Sequence, residues 1–321
     1  MTEKEKCGNN GTSVKLLMYA FEGLTFPLAW LPRRWLLAVG ALAGRLAFRL
    51  WKKRRAIAVG NLEMIKANGS LPRDLDIQAV AGESFANMGR TMMESLILYH
   101  RGLTPFLNYC RMEEGEEYFK EAISKARESG KGVMLVTGHM GNWEVLCQFL
   151  SISYNCPMGI VGRTTGKPVV DAMMTKLRGR YGNTFISKRG GAREMMRVLK
   201  SGRTLGTLID QAIVGNHPGA PIPFLGQIAS TNLGPLRLAR RSQAEVTMLL
   251  FWREGLNHYI KAFPGLEPSG LADSEEALVA EAGQLNEWLG EHIKKYPDQW
   301  MWGHRRWKSK EGLRQDPESI I

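Results

Sequence analysis

Cysteine is scarce in this chain. Its four residues, Cys7, Cys110, Cys147 and Cys156, form no CxxC pair and no zinc-type spacing, so neither a disulfide framework nor a metal site is expected. Cys147 falls in an apolar stretch, which suits reduced thiols in a reducing compartment. No G-x-S-x-G elbow is present, and no G-x-G-x-x-G follows a strand, which sets aside serine hydrolases and dinucleotide enzymes. GRTTGKP (162–168) resembles a phosphate loop only superficially, because its glycine spacing is wrong and proline stands where Ser or Thr is required. There is no internal repeat and no low-complexity tract.

Long uninterrupted apolar runs are also missing. The opening MTEKEKCGNNGTS is polar and of mixed charge, unlike a signal peptide, so no cleaved leader is expected. Residues 14–51 are rich in Leu, Trp, Phe and Ala, but Lys15, Glu22, Pro32, Arg33, Arg34, Arg45 and Arg49 interrupt them. The uncharged pieces fall short of the roughly 20 residues that span a bilayer. From Trp35 onward, Arg45, Arg49, Lys52 and Lys53 share one helical face while Leu42, Leu46 and Leu50 share another, and KKRR closes the segment. Such a helix suits the interface of an anionic leaflet, with Trp30, Trp35 and Trp51 at headgroup depth. Packing of an amphipathic helix on its own domain is the alternative. Residues 1–55 are therefore expected to form a membrane-associated segment and 56–321 a catalytic domain.

Acidic residues are outnumbered, 31 against 43 Lys and Arg, for a formal net charge of +12. That balance points to an acidic partner: nucleic acid, an anionic membrane or an acidic carrier protein. The hydrophobic fraction of 44% and the length of 321 residues are those of a globular chain with an ample core.

The elements alternate. Residues 76–100 and 115–128 read as helices, followed by a strand at 132–137 and a helix at 143–151 with Asn142 as its N-cap. Next come a strand at 156–162, a helix at 168–181, the strand TFIS, a helix at 191–200 and a strand at 204–210. The Pro- and Gly-rich stretch 211–229 reads as a long loop. A helix at 231–241, two paired strands (EVTMLLFW and HYIKAF) and a last helix at 274–295, opened by an Asp273/Glu276 capping box, complete the chain. This order predicts an α/β fold with a central mixed, largely parallel sheet covered by helices on both faces.

Chemistry concentrates in LVTGHMGNWEVL (135–146). His139 sits between two glycines, and Glu144 follows five residues later. In one unbroken helix that spacing would set the side chains roughly 140° apart, so a bend at Gly141 has to bring them together. None of the other five histidines has Asp or Glu five residues on, and this one falls at the carboxyl end of a strand, where α/β proteins place ligands. A carboxylate-oriented imidazole is the layout of a general base for a hydroxyl. Backbone N–H groups of the turn and the helix start can face an oxyanion. Arg163 and Asp210 lie just beyond strand ends and could share this edge; the bland readings are a surface arginine and a hydrogen-bonded aspartate. Arg178 and Arg189 read as phosphate contacts or structural ion pairs. The Trp/Arg-rich end PDQWMWGHRRWK suits core packing, interface anchoring or base stacking, and His304 within it is a second candidate.

Taken in order, TGHMGNWE, GRTTGKPVVD, KRGGAREMMRVLKSGRTLGTLIDQ and PDQWMWGHRRWK resemble the bacterial lipid A biosynthesis acyltransferases, the late lauroyl and myristoyl transferases. RRAIAVGNL resembles the family's basic segment after its membrane helix, and the likeness covers nearly the whole chain. The resemblance implies transfer of a fatty acyl chain from an acyl carrier protein thioester to a hydroxyl of a lipid A precursor or related glycolipid, at the cytoplasmic face of the inner membrane, without a cofactor. It places the HxxxxE catalytic dyad on His139 and Glu144, the basic positions on Arg163, Arg178 and Arg189, and the acidic position on Asp210. With Gly141 and Asn142 in the turn, these last four make the expected substrate-binding set. Thr164 departs from the family's usual proline after the first arginine. Acyl-CoA transfer to another membrane glycolipid or glycerolipid is the near alternative; a basic nucleic-acid-binding protein is the distant one, and no nucleic-acid-reading motif supports it.

Overall fold

The computed structural model describes residues 3–212, 219–266 and 274–307, with side chains from residue 13 onward. Four helices come first: α1 (Glu3–Ala29), α2 (Arg33–Leu50), α3 (Lys52–Ala67) and α4 (Ile77–Arg101). Then follow β1 (Cys110–Glu114), α5 (Glu116–Ser129), β2 (Val133–Thr137), α6 (Trp143–Ser153), β3 (Met158–Gly162), α7 (Pro168–Arg178), β4 (Thr184–Ser187), α8 (Ala192–Lys200) and β5 (Thr204–Leu208). A hairpin of β6 (Ala220–Phe224) and β7 (Gln227–Thr231) precedes α9 (Gly234–Ser242), β8 (Glu245–Glu254), β9 (Asn257–Ala262) and α10 (Glu275–Lys295).

Seven strands form one sheet in the order β1-β9-β8-β2-β5-β3-β4. Within this sheet, among the described residues, only the β8–β9 pair is antiparallel. Strand side chains alternate between faces, and the core divides accordingly. Met134, Val136, Leu205, Met248 and Leu250 pack beneath α3, α8, α9 and α10. Leu135, Met158, Ile160, Leu249 and Phe251 pack beneath α4, α5, α6 and α7. The mixed, largely parallel sheet with helices on both faces is thus the observed fold.

Local chemistry sets the element ends. Asp76 caps α4 by accepting from Ala79 N, and Asn142 caps α6 by accepting from Glu144 N and Val145 N. Three expectations need correction. The stretch 211–229 is not simply a loop, since β6 and β7 lie within it; only 213–218 fall outside the described residues. Strand β1 was not anticipated, because CRMEE is an edge strand with mostly exposed, polar side chains. The last helix is capped by Ser274, which accepts from Ala277 N, while Asp273 lies outside the described residues.

The N-terminal helices show where the interrupting charges go. Glu22 accepts from Tyr99 Oη at 2.5 Å and pairs with Lys176 at 2.6 Å, tying α1 to α4 and α7. Arg33 turns inward onto Glu94. Helix α2 crosses α4 at Gly40, Gly44 and Gly89, where a Cβ at Gly40 or Gly44 would collide with the α4 backbone and one at Gly89 with that of α2. Its outer face still presents Trp35, Val39, Leu42, Leu46 and Leu50 to the exterior. The helix stops at Leu50 and KKRR opens α3, so Lys52 and Lys53 do not extend the α2 face as expected, and Arg54 is buried, donating to Gly303 O. Helix α3 runs unbroken through residue 55. No single described helix is long and apolar enough to cross a membrane; residues 13–29 and 33–50 pass only as a pair bent by 118°.

Candidate active site

The turn after β2 is held from three sides. Gly141 adopts φ +59°, and a side chain there would run into the Phe251 carbonyl. Its own carbonyl accepts from Thr91 Oγ1 at 2.9 Å, and its N–H donates to Gln299 O. Met140 bridges to Trp300, and Met301 N donates to His139 O. Glycine is required at 141 both for the left-handed backbone and for the close approach to β8.

His139 therefore emerges at the carboxyl edge of the parallel sheet with a fixed backbone. Its Nδ1 lies 2.7 Å from Asp210 Oδ1, and its backbone N–H donates to Asp210 Oδ2 at 2.8 Å. Trp300 Nε1 donates to the same Oδ2 at 2.8 Å. Asp210 follows β5, the strand paired with β2, and its side chain is buried. Burial alone would raise its carboxyl, but the charge and hydrogen bonds of His139, together with the Trp300 indole, hold it well below the usual carboxylate range. An ionised Asp210 requires a proton on Nδ1, which leaves Nε2 of the neutral ring as the acceptor. The ring is 16% exposed, Nε2 sits 3.2 Å from Gln211 Nε2, and Trp143 packs edge-on at 4.9 Å.

Glu144 does not supply the orienting carboxylate, contrary to the spacing expectation. Its carboxylate is engaged by Arg178, with Nη2 at 2.5 Å and Nε at 3.0 Å, and by Trp143 Nε1 at 3.1 Å. The bend at Gly141 exists, yet it directs Glu144 toward α7. Arg178 is thus a largely buried ion-pair partner stacked over Phe185. Asn142 is fully buried, with its side chain spent on the α6 cap and on Glu94, so no part of that side chain faces a substrate.

Arg163 and Arg189 follow β3 and β4 and are exposed, with no carboxylate partner among the described residues. Lys188 N donates to Gly162 O at 2.7 Å, so the two arginines leave the same edge of the sheet side by side. His304 does not join them. Buried against this site, its Nε2 accepts from Ala212 N at 2.9 Å, and its pKa is pushed down to about 4, chiefly by burial. Sequence reasoning missed Trp300 and Gln211 as neighbours of the histidine system. Only their position, one beside Asp210 and one in the Trp-rich segment, could have pointed to them.

The amides of His139, Met140, Gly141, Glu144 and Val145 already have acceptors. Among the described residues no acceptor meets the amides of Asn142 and Trp143 at the start of α6; of these two residues Asn142 is fully buried and Trp143 is half-buried.

A largely parallel α/β sheet thus carries at one carboxyl edge an aspartate-paired histidine after β2 and, two and three strands away, exposed arginines after β3 and β4, an arrangement found in α/β enzymes that bind their ligands at that edge. Residues 12–309 match the bacterial lipid A biosynthesis acyltransferase model, and the chain belongs to that family and is an O-acyltransferase. It is 25% identical over 283 residues to the lipid A biosynthesis palmitoleoyltransferase of Escherichia coli K12, covering 87% of each chain. It is 24% identical over 294 residues to the lauroyltransferase of the same organism, covering 90% of each. A phosphatidylinositol mannoside acyltransferase of Mycolicibacterium smegmatis is 22% identical over 264 residues, covering 79% of this chain and 82% of that one.

Proposed function

We propose that this chain moves a fatty acyl group from an acyl carrier protein thioester to a hydroxyl of a lipid A precursor, at the cytoplasmic face of the inner membrane. The observation that carries the reading is the 2.7 Å contact between His139 Nδ1 and Asp210 Oδ1, which makes Nε2 the accepting nitrogen; the acceptor hydroxyl takes the place of the Gln211 amide that lies 3.2 Å from it. Nε2 takes the proton of the acceptor hydroxyl, and that oxygen attacks the thioester carbonyl carbon. The tetrahedral oxyanion is met by the Trp143 amide at the α6 N-terminus, where the helix dipole favours negative charge. The C–S bond then breaks, and the imidazolium returns its proton to the departing thiolate. No covalent enzyme intermediate is needed.

Glu144 serves this site through Arg178, whose guanidinium it fixes between α6 and α7. Arg163 and Arg189, unpaired at the same edge, are positioned for the phosphates of the acceptor or for the acidic carrier. Residues 1–55 form the membrane-associated segment and 56–321 the catalytic domain. The exposed apolar faces of α1 and α2, including Leu24, Phe26, Trp35, Leu42 and Leu50, together with Trp30 in the turn between them, support attachment in the interface.

Thr164 beside Arg163, and the mannoside acyltransferase among the relatives, favour one second reading: another membrane glycolipid as acceptor. Incubation of the purified chain with acyl carrier protein or CoA thioesters and a panel of acceptors, read by mass spectrometry, decides between them. Transfer to none of the hydroxylated lipids would overturn both. The family match favours either over the nucleic-acid reading.

A further inference from the structure

Beneath the site lies a buried charge cluster that the chemistry above does not use. Glu94, in the middle of α4, is completely buried. Its Oε1 accepts from Arg33 Nη2 at 2.5 Å and Nε at 3.1 Å and lies 2.9 Å from His258 Nε2. Its Oε2 accepts from Asn142 Nδ2 at 3.0 Å and has Arg253 Nη1 at 3.9 Å. One carboxylate therefore faces two guanidinium groups and an imidazole. Arg33 Nη1, Arg253 Nε and Nη1, and His258 Nδ1 have no hydrogen-bond partner among the described residues. Burial of such groups is tolerable only while the anion stays in place.

The Asn142 contact leads to the site. With Nδ2 pinned by Glu94, Oδ1 is turned toward Glu144 N and Val145 N, each at 3.2 Å. The flipped amide would set Oδ1 against a carboxylate and Nδ2 against two N–H donors, so only one orientation is compatible with both neighbours. Asn142 follows Gly141 in the turn that carries His139, and Glu144, which holds Arg178, is two residues further on. Arg33, on the other side of the carboxylate, is the first residue of α2, at the bend between the two apolar helices.

We infer that Glu94 is a positioning residue for acyl transfer, fixing the Asn142 cap, and through it the turn between His139 and α6, to the first residue of the membrane-facing helix α2. This rests on acyl transfer at His139. The group acts at one remove, so its signature is kcat rather than acceptor binding, and it disappears once the Asn142 amide is gone.

The experiment is a double-mutant cycle in the full chain with Glu94→Asp and Asn142→Ser. Aspartate keeps the charge for Arg33 and His258 but withdraws from Asn142. Serine keeps an N-cap acceptor but lacks the Nδ2 donor. Each is expected to lower kcat roughly tenfold per folded enzyme at unchanged acceptor KM, and the double variant to be no slower than the slower single. Multiplying losses in the double variant, or wild-type kcat in folded Glu94→Asp, overturns the inference. If Glu94→Asp does not fold, Asn142→Ser alone decides, since an unchanged kcat sinks it. His139→Ala run alongside separates the two readings: full activity there rejects the proposed function whatever the cycle shows.

Discussion

Trp300 and His139 donate to one oxygen. The indole N–H and the His139 backbone N–H both reach Asp210 Oδ2, while Oδ1 is left to the imidazole. The carboxylate is thereby locked in rotation, and with it the plane of the ring.

Asp210→Asn is expected to reverse the ring's tautomer, since an amide can donate to Nδ1 and so moves the proton to Nε2. Transfer should fall by about 10²- to 10⁴-fold with the fold retained, the range for losing a general base. Trp300→Phe, which removes one of three donors, should lose roughly tenfold. Imidazole ¹⁵N shifts check the tautomer directly; an unchanged tautomer in Asp210→Asn contradicts the assignment.

The two carboxylates should also fail differently. Glu144→Gln strands the largely buried Arg178 guanidinium and is expected to cost about 3 kcal/mol or more of stability, as breaking a buried pair does. Its kinetic effect should appear in acceptor KM, leaving the pH profile in place. Denaturant unfolding with steady-state kinetics measures both, and a shifted pH profile with normal KM would return Glu144 to the imidazole.

Gly141→Ala places a side chain at φ +59° and against the Phe251 carbonyl. The left-handed backbone alone costs about 1–2 kcal/mol, and the collision adds to it. A lowered unfolding midpoint together with loss of transfer is expected, whereas Gly130→Ala, also at positive φ but in open space, should show only the backbone part.

Stability should decline on mild acidification. His292 and His304 are held down to about 4, mainly by burial, with Lys261 and Lys295 adding for the first and His139, Arg306 and Arg54 for the second. Below the unfolded value near 6.5, the unfolded chain binds protons that the native chain refuses. Unfolding free energy therefore falls as pH drops from about 6.5 toward 4, by up to on the order of 3 kcal/mol per histidine. Denaturant curves at pH 7.5 and 5 test this, and equal stabilities would contradict it. Below that window Asp210 and Glu94, both depressed, extend the loss.

Leu42, Leu46 and Leu50 on the outer face of α2 are exposed and touch no core cluster. Changing all three to Ser should leave the unfolding midpoint nearly unchanged but shift the protein from vesicles to the soluble fraction, as each buried leucine contributes roughly 2 kcal/mol. Retained vesicle binding would place the membrane contact elsewhere. Alkaline carbonate should release the wild-type chain.

What the sequence determined by itself is local. Hydrophobic periodicity, the Asn142 cap and the Gly138–Gly141 turn act over a few residues, so the alternation of strands and helices from β2 to β5, and the place of His139 at a strand end, were legible without coordinates, whereas the edge strand β1 and the β6–β7 hairpin were not. The four ordered motifs carried the family resemblance as well. The partner of His139 was not legible. Glu144 is five residues away along the chain, but the peptide geometry after Gly141 starts α6 and sends its carboxylate to Arg178. Asp210, 71 residues away, arrives because β2 and β5 pair in parallel register, with Thr137 opposite Leu208. Trp300 reaches the same carboxylate from beyond α10, and Glu94 holds Asn142 from α4. Such contacts depend on which strands become neighbours and how helices cross them, and packing of the whole core settles that, not the spacing of residues in one segment.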